Sequence, residues 1–221
     1  MFVSDFLRRT TLARAQTRAR THVVLNGTRT IETAVARRPG PPTILFVGQL
    51  APHKGAHLLV DALRRLDAEG RGLRAVFIGA RVHGPTSDLS PYEQDLRIAA
   101  APLGDRVEFR GYVPHDELWR EYQAADLFCF PSTWDEPCGL VLLEALGNGT
   151  ASIASTRGGI PEVGADAVAY FDDAAPASLA EVIRRLTDDP QLLSDLRIRA
   201  RRRAAQLGWP DQYRRLMTAL S

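Results

Sequence analysis

From Ile44 onward the chain alternates short, wholly apolar runs with stretches whose apolar positions recur every three or four residues. Ile44 to Gly48 leads to a helical period over about Ala56 to Glu69, and Ala75 to Gly79 leads, after a long polar loop, to another near Tyr92 to Ala101. Val107-Glu108-Phe109 precedes a helix around Glu117 to Ala124, and Leu127-Phe128-Cys129-Phe130 precedes one around Leu140 to Leu146. Ala151 to Ala154 opens a further strand-helix unit before a last short strand near Val168 to Phe171. Strands buried on both faces lose the polar alternation of a half-exposed sheet, and strands joined through helices run parallel. The pattern therefore predicts an α/β domain with a Rossmann-like, doubly wound parallel sheet. In such sheets ligands sit beyond the carboxyl ends of the strands. From Pro176 to Leu220 the pattern gives three helices, divided at Asp189-Pro190 and Gly208-Trp209-Pro210.

The opening of the chain reads differently. It predicts a mostly helical, arginine-rich stretch to about Ala36, with the apolar run His22-Val23-Val24-Leu25 and the turn signal Asn26-Gly27. Arg37-Arg38-Pro39-Gly40-Pro41-Pro42 cannot continue a helix and marks an edge, dividing residues 1–42 from a larger unit over 43–221.

Composition narrows the function class. A net charge of +2 does not imply a nucleic-acid partner, and the basic runs Arg8 to Arg20 and Arg197 to Arg203 read as solvated helix faces. No apolar run approaches the roughly 18 residues that span a bilayer, and the first residues lack the apolar core of a signal peptide. The expected location is the cytoplasm; association with a membrane surface stays open. Cys129 and Cys138 have no metal-ligand spacing and read as reduced thiols. His57, His83 and His115 likewise show no metal spacing, so neither metal nor cofactor is expected.

Two constellations can carry chemistry. The first strand ends in Gly48-Gln49-Leu50-Ala51-Pro52-His53-Lys54-Gly55, and Lys54 is the only lysine among 28 lysines and arginines. Amides at a helix start with an ammonium beside them suit a phosphate, while the alternative is a glycine-rich turn with one exposed lysine. No G-x-G-x-x-G follows a strand, which weighs against a dinucleotide. The second constellation runs from Pro131 to Ala145. Glu144 lies eight residues beyond Glu136, about two helical turns, so the two carboxylates are expected on one side, with amides at Gly139 and Leu140 between them. Carboxylates accept hydrogen bonds from a polyol and amides meet a diphosphate; the alternative is ordinary helix capping. Trp134 reads either as a sugar platform or as core, and Cys138 as a small filler.

Five blocks in order resemble family 4 glycosyltransferases. They are Phe46-Val47-Gly48-Gln49-Leu50 with Lys54-Gly55; Phe109 to Pro114; Ala125 to Ser132; Glu136 and Glu144 with seven residues between; and Gly158-Gly159-Ile160-Pro161-Glu162. The resemblance covers Thr43 to about Leu220 and implies the C-terminal, donor-binding half of a retaining GT-B enzyme. Val3 to Leu7 and Leu25-Asn26-Gly27 resemble the last pieces of that family's other domain, which makes residues 1–42 a short helical remnant. The resemblance implies a nucleoside diphosphate sugar as donor, with Lys54 on the diphosphate, Glu144 on the ribose hydroxyls and Glu136 on the transferred sugar. It further implies amides of Gly139, Leu140 and Val141 on sugar and phosphate, Gly111, Tyr112 and Val113 presenting backbone to the nucleobase, and Gly48 and Gly79 lining the nucleotide. The family usually carries arginine where this chain has Gln49, and Arg81 is the expected substitute for that second cation. Catalysis would fall to Lys54 and Glu136. The acceptor half would come from a separate acceptor-domain protein; the alternatives are a non-catalytic nucleotide-sugar-binding module and a GT-B-type epimerase.

Overall fold

The computed structural model describes residues 1–15, 17–33, 35–79, 89–173, 175 and 177–221. Arg81 and His83 lie outside them. Six parallel strands form one sheet: β1 (Thr43–Val47), β2 (Arg74–Ile78), β3 (Val107–Gly111), β4 (Leu127–Phe130), β5 (Ala151–Ala154) and β6 (Val168–Tyr170). Their order is β3-β2-β1-β4-β5-β6, the doubly wound arrangement in which the winding reverses between β1 and β4. The expected Rossmann-like sheet is the one observed.

Side chains alternate across the central strands, so each face builds its own core. Ile44, Phe46, Phe77 and Ile153 pack against α2 (Ala56–Ala68), α3 (Pro91–Ala100) and α7 (Ser178–Asp188). Leu45, Val47, Phe128 and Phe130 pack under α4 (Leu118–Ala124), α5 (Leu140–Gly147), α6 (Ile160–Gly164) and the second half of α8 (Pro190–Gln206). Every residue of β1, β4 and β5 is buried, which is why those runs carry no polar alternation. β3 is the edge strand and does alternate; Arg110 on it pairs with Glu108 and with Glu121 of α4, charging an otherwise open edge. α9 (Trp209–Leu220) closes the chain, and no helix among the described residues is long and apolar enough to cross a membrane.

The N-terminal reading requires correction. Helix α1 covers only Asp5–Leu12, and the described residues of the arginine-rich stretch beyond Arg14 are not helical. Its apolar periodicity stops at Leu12, so a longer helix would have no face to bury, and a helix of one or two turns persists only where its ends are held. Here they are held. Ser4 accepts from the Leu7 amide, and the Glu162 carboxylate accepts from the amides of Asp5 at 2.6 Å and Phe6 at 2.7 Å. The Phe2 amide donates to the His22 carbonyl while the Phe2 carbonyl accepts from the Val24 amide, Thr28 donates to the carbonyls of Leu207 and Leu143, and the Ile31 amide donates to the Gly147 carbonyl. Asp5 and Phe6 are thereby tied to α6, and Thr28 and Ile31 to α5 and the turn before α9. We expect Glu162→Ala to speed amide hydrogen exchange over residues 5–12 by about tenfold or more, the effect of losing two charge-assisted bonds at a helix start, while the sheet amides keep their protection.

Candidate functional site

The site assembles where the winding reverses. β1 runs into a short 3-10 helix, Pro52–Lys54, and β4 runs into the loop carrying Ser132 to Gly139. The two loops are laced together: the Thr133 amide donates to the His53 carbonyl at 3.0 Å, and both the Ser132 and Thr133 hydroxyls reach the same oxygen. Across this seam Lys54 Nζ donates to Glu136 Oε1 at 2.6 Å. Glu136 is only 7% exposed, and Oε1 also lies 2.9 Å from the Ser132 hydroxyl, which is itself fully buried. The Glu136 backbone is fixed as well, since its carbonyl accepts from the Gly159 amide at 2.7 Å. Two loops that are 82 residues apart in sequence thus deliver a cation and an anion to one point at the sheet rim.

Helix α5 starts beside them. Gly139 is its left-handed N-cap and provides no side-chain cap, so the first amides, at Leu140 and Val141, have no partner within the helix and carry the positive end of its dipole. Leu140 stands out from the surface at 58% exposure, with Val141 half-buried behind it.

Glu144 belongs to a neighbouring cluster rather than to the Lys54 pair. Its Oε2 accepts from the Tyr122 hydroxyl of α4 at 2.9 Å, and its Oε1 lies 3.0 Å from His115 Nε2. Burial and the adjacent carboxylate push the Tyr122 hydroxyl well above the ordinary tyrosine range, so it remains a donor. Glu136 stands in the loop just before α5 and Glu144 on the helix itself, residues 136–139 not being helical. A cavity of 620 Å³ opens on the Glu144 side, walled by Leu140, Leu143, Trp119 and Trp209, and neither Lys54 nor Glu136 lines it.

The remaining residues singled out in the sequence form the rim. Gly48 and Gly79 end adjacent strands, with the Gly48 amide donating to the Ile78 carbonyl and the Gly79 amide to the Gly111 carbonyl. Gln49 follows at the same edge, half-buried. Tyr112 is exposed and Val113 half-buried just beyond β3. Trp134 is 57% exposed and meets the His53 ring edge-on at 6.2 Å, so it lies on the surface of the seam and not in the core. Cys138 is buried, its thiol pushed up by desolvation, beside the Asn26 amide. Among the described residues no three His, Cys, Asp or Glu side chains come together as a metal cage. The sequence reading missed Ser132, Tyr122 and Glu162 as holding residues. Ser132 and Glu162 stand inside blocks it singled out, while Tyr122 is hidden in the apolar stripe of α4.

Comparison with known proteins places this geometry. Residues 28–203 match the family model described as Glycosyl transferases group 1. Spore coat protein SA of Bacillus subtilis is 34% identical over 77% of this chain and 46% of its own length, and a D-inositol 3-phosphate glycosyltransferase of Catenulispora acidiphila is 35% identical over 79% and 42%. Among solved structures, sucrose-phosphate synthase from Thermosynechococcus elongatus superposes with a TM-score of 0.78 at 26% identity, over 99% of this chain and 58% of that one. Anabaena HepE in complex with UDP superposes with a TM-score of 0.70 at 25% identity, over 81% and 48%. The chain spans less than half the length of these curated relatives. With the family model covering most of its residues, the chain belongs to the group 1 glycosyltransferases.

Proposed function

We propose that the chain binds a nucleoside diphosphate sugar across the β1/β4 switch point and serves as the donor half of a retaining glycosyl transfer, completed by a separate acceptor domain. The observation that carries this reading is the Lys54–Glu136 pair, a cation and a carboxylate meeting at 2.6 Å beside the uncapped start of α5. A diphosphate entering there meets an ammonium and helix-start amides, while Glu136, released from Lys54, accepts from a sugar hydroxyl. As the glycosidic bond breaks, negative charge grows on the departing diphosphate. Groups fixed to meet that charge lower the barrier without having to reorganise. Lys54 and the amides of Gly139 to Val141 take that role, and no protein nucleophile is required.

Around this centre, Glu144 accepts from the ribose hydroxyls, Gly48, Gln49 and Gly79 line the nucleotide, and the backbone at Tyr112 and Val113 borders the nucleobase. Arg81 supplies the second cation that Gln49 cannot. HepE holds UDP, which makes UDP the first nucleotide to try. In isothermal titration we expect UDP or UDP-sugar to bind with Kd from micromolar to millimolar. We expect little turnover to free sugar until an acceptor domain is supplied. Absence of binding by uridine, guanosine and adenosine diphosphates alike would refute the reading.

A further inference from the structure

We infer that Tyr122 is a positioning residue for Glu144, holding one carboxylate oxygen from inside the protein so that the other is presented to a ligand hydroxyl. The inference rests on the reading of Glu144 as the ribose acceptor and extends it to a residue that makes no contact with the donor.

Tyr122 is 1% exposed, and its ring packs edge-on against Phe128 of β4 at 5.3 Å. Its carbonyl accepts from the buried Thr150 hydroxyl at 2.8 Å, which ties this point of α4 to the start of β5. The ring therefore has one direction in which to aim its hydroxyl, and at the end of it lies Glu144 Oε2 at 2.9 Å. A glutamate on a helix surface ordinarily exchanges among several rotamers. One that accepts a bond from a fixed buried donor loses that freedom before any ligand arrives, and binding then costs less. The second oxygen, Oε1, faces outward, and its partner His115 has a side chain that is 82% exposed. A solvent-exposed histidine is readily displaced by a hydroxyl, whereas the buried tyrosine is not. The two oxygens are thus differentiated, one anchored and one offered.

The test compares two ligands on the whole chain, UDP and its 2′,3′-dideoxy counterpart, which lacks the hydroxyls Glu144 would meet. The expected result is that the unmodified protein prefers UDP by about tenfold or more, the effect of charge-assisted bonds to the ribose. Tyr122→Phe keeps the ring and its packing. It should reduce that preference to about two- or threefold by weakening UDP alone, with dideoxy affinity and melting temperature nearly unchanged. On a Glu144→Ala background the preference should already be gone, and adding Tyr122→Phe should change nothing further. Equal weakening of both ligands by Tyr122→Phe, or an undiminished preference, overturns the positioning role while leaving the donor reading intact. If the unmodified protein binds UDP without any ribose preference, the Glu144 assignment falls and this inference with it. If it binds no nucleoside diphosphate at all, the donor reading falls first.

Discussion

Replacing Lys54 with methionine should lower UDP affinity by about a hundredfold, because it removes the ammonium that meets the diphosphate beside the helix-start amides. The same substitution acts on the empty protein through its partner. Glu136 is 7% exposed and loses its counter-charge, an arrangement that costs about 3 kcal/mol. The two effects separate in the double variant Lys54→Met/Glu136→Gln. Neutralising the stranded carboxylate should return the melting temperature to within a few degrees of the parent while UDP binding stays weak. Calorimetry and thermal melts on the three proteins check this. Recovery of binding together with stability would mean that Lys54 serves only to neutralise Glu136. Lys54→Arg is not a rescue: a planar fork cannot occupy the space of a compact ammonium that already sits 2.6 Å from its partner.

How much of this was legible in the sequence varies with the physics involved. The strands were readable because β1, β4 and β5 are buried on both faces and so consist of unbroken apolar runs. Their order was not, since β1 pairs with β4 across the whole of β2 and β3, a contact that no local pattern encodes. Strand β3 reaches Gly111, two residues past its predicted end, because the register shifts past Arg110 and Gly111 pairs with Ile78 of β2. The arginine-rich opening reads as a long helix from composition, yet α1 itself buries no residue, and it persists only over Asp5–Leu12, where Ser4 and Glu162 hold its first amides. At the site, Lys54 and Glu136 stand out within their own segments and the motif resemblance gives them roles, but their meeting is a tertiary fact spanning 82 residues. The eight-residue spacing places Glu136 before the helix and Glu144 on it, but nothing in that spacing encodes that one carboxylate meets Lys54 and the other Tyr122. Holding residues were the hardest to see. A serine in a loop and a tyrosine in an apolar stripe have no pattern of their own, and only the position of the carboxylates gives their hydroxyls a purpose.

The seam itself makes the second large prediction. Gly55 joins the Pro52–Lys54 turn to α2 with φ near 73°, and a Cβ added there would lie 1.8 Å from the Pro131 carbonyl oxygen. Backbone meets backbone at that point, so no side chain can swing aside, and one loop must move by more than an ångström. Gly70, just past the other end of α2, has φ near 80° but nothing within 4 Å of an added Cβ. Alanine at Gly70 therefore incurs only the left-handed conformational penalty, about 1 kcal/mol, or roughly 3 °C in a domain of this size. Alanine at Gly55 incurs that penalty plus the separation of the β1 and β4 loops, which we expect to total about 3–4 kcal/mol and to lower the melting temperature by roughly 10 °C. Because Lys54 and Glu136 stand on those two loops, Gly55→Ala should also weaken UDP binding by at least about tenfold at temperatures where the protein is still folded, whereas Gly70→Ala should leave it unchanged. Equal behaviour of the two variants in both measurements would show that the β1 and β4 loops yield independently, and that the closeness of Lys54 to Glu136 does not depend on their contact.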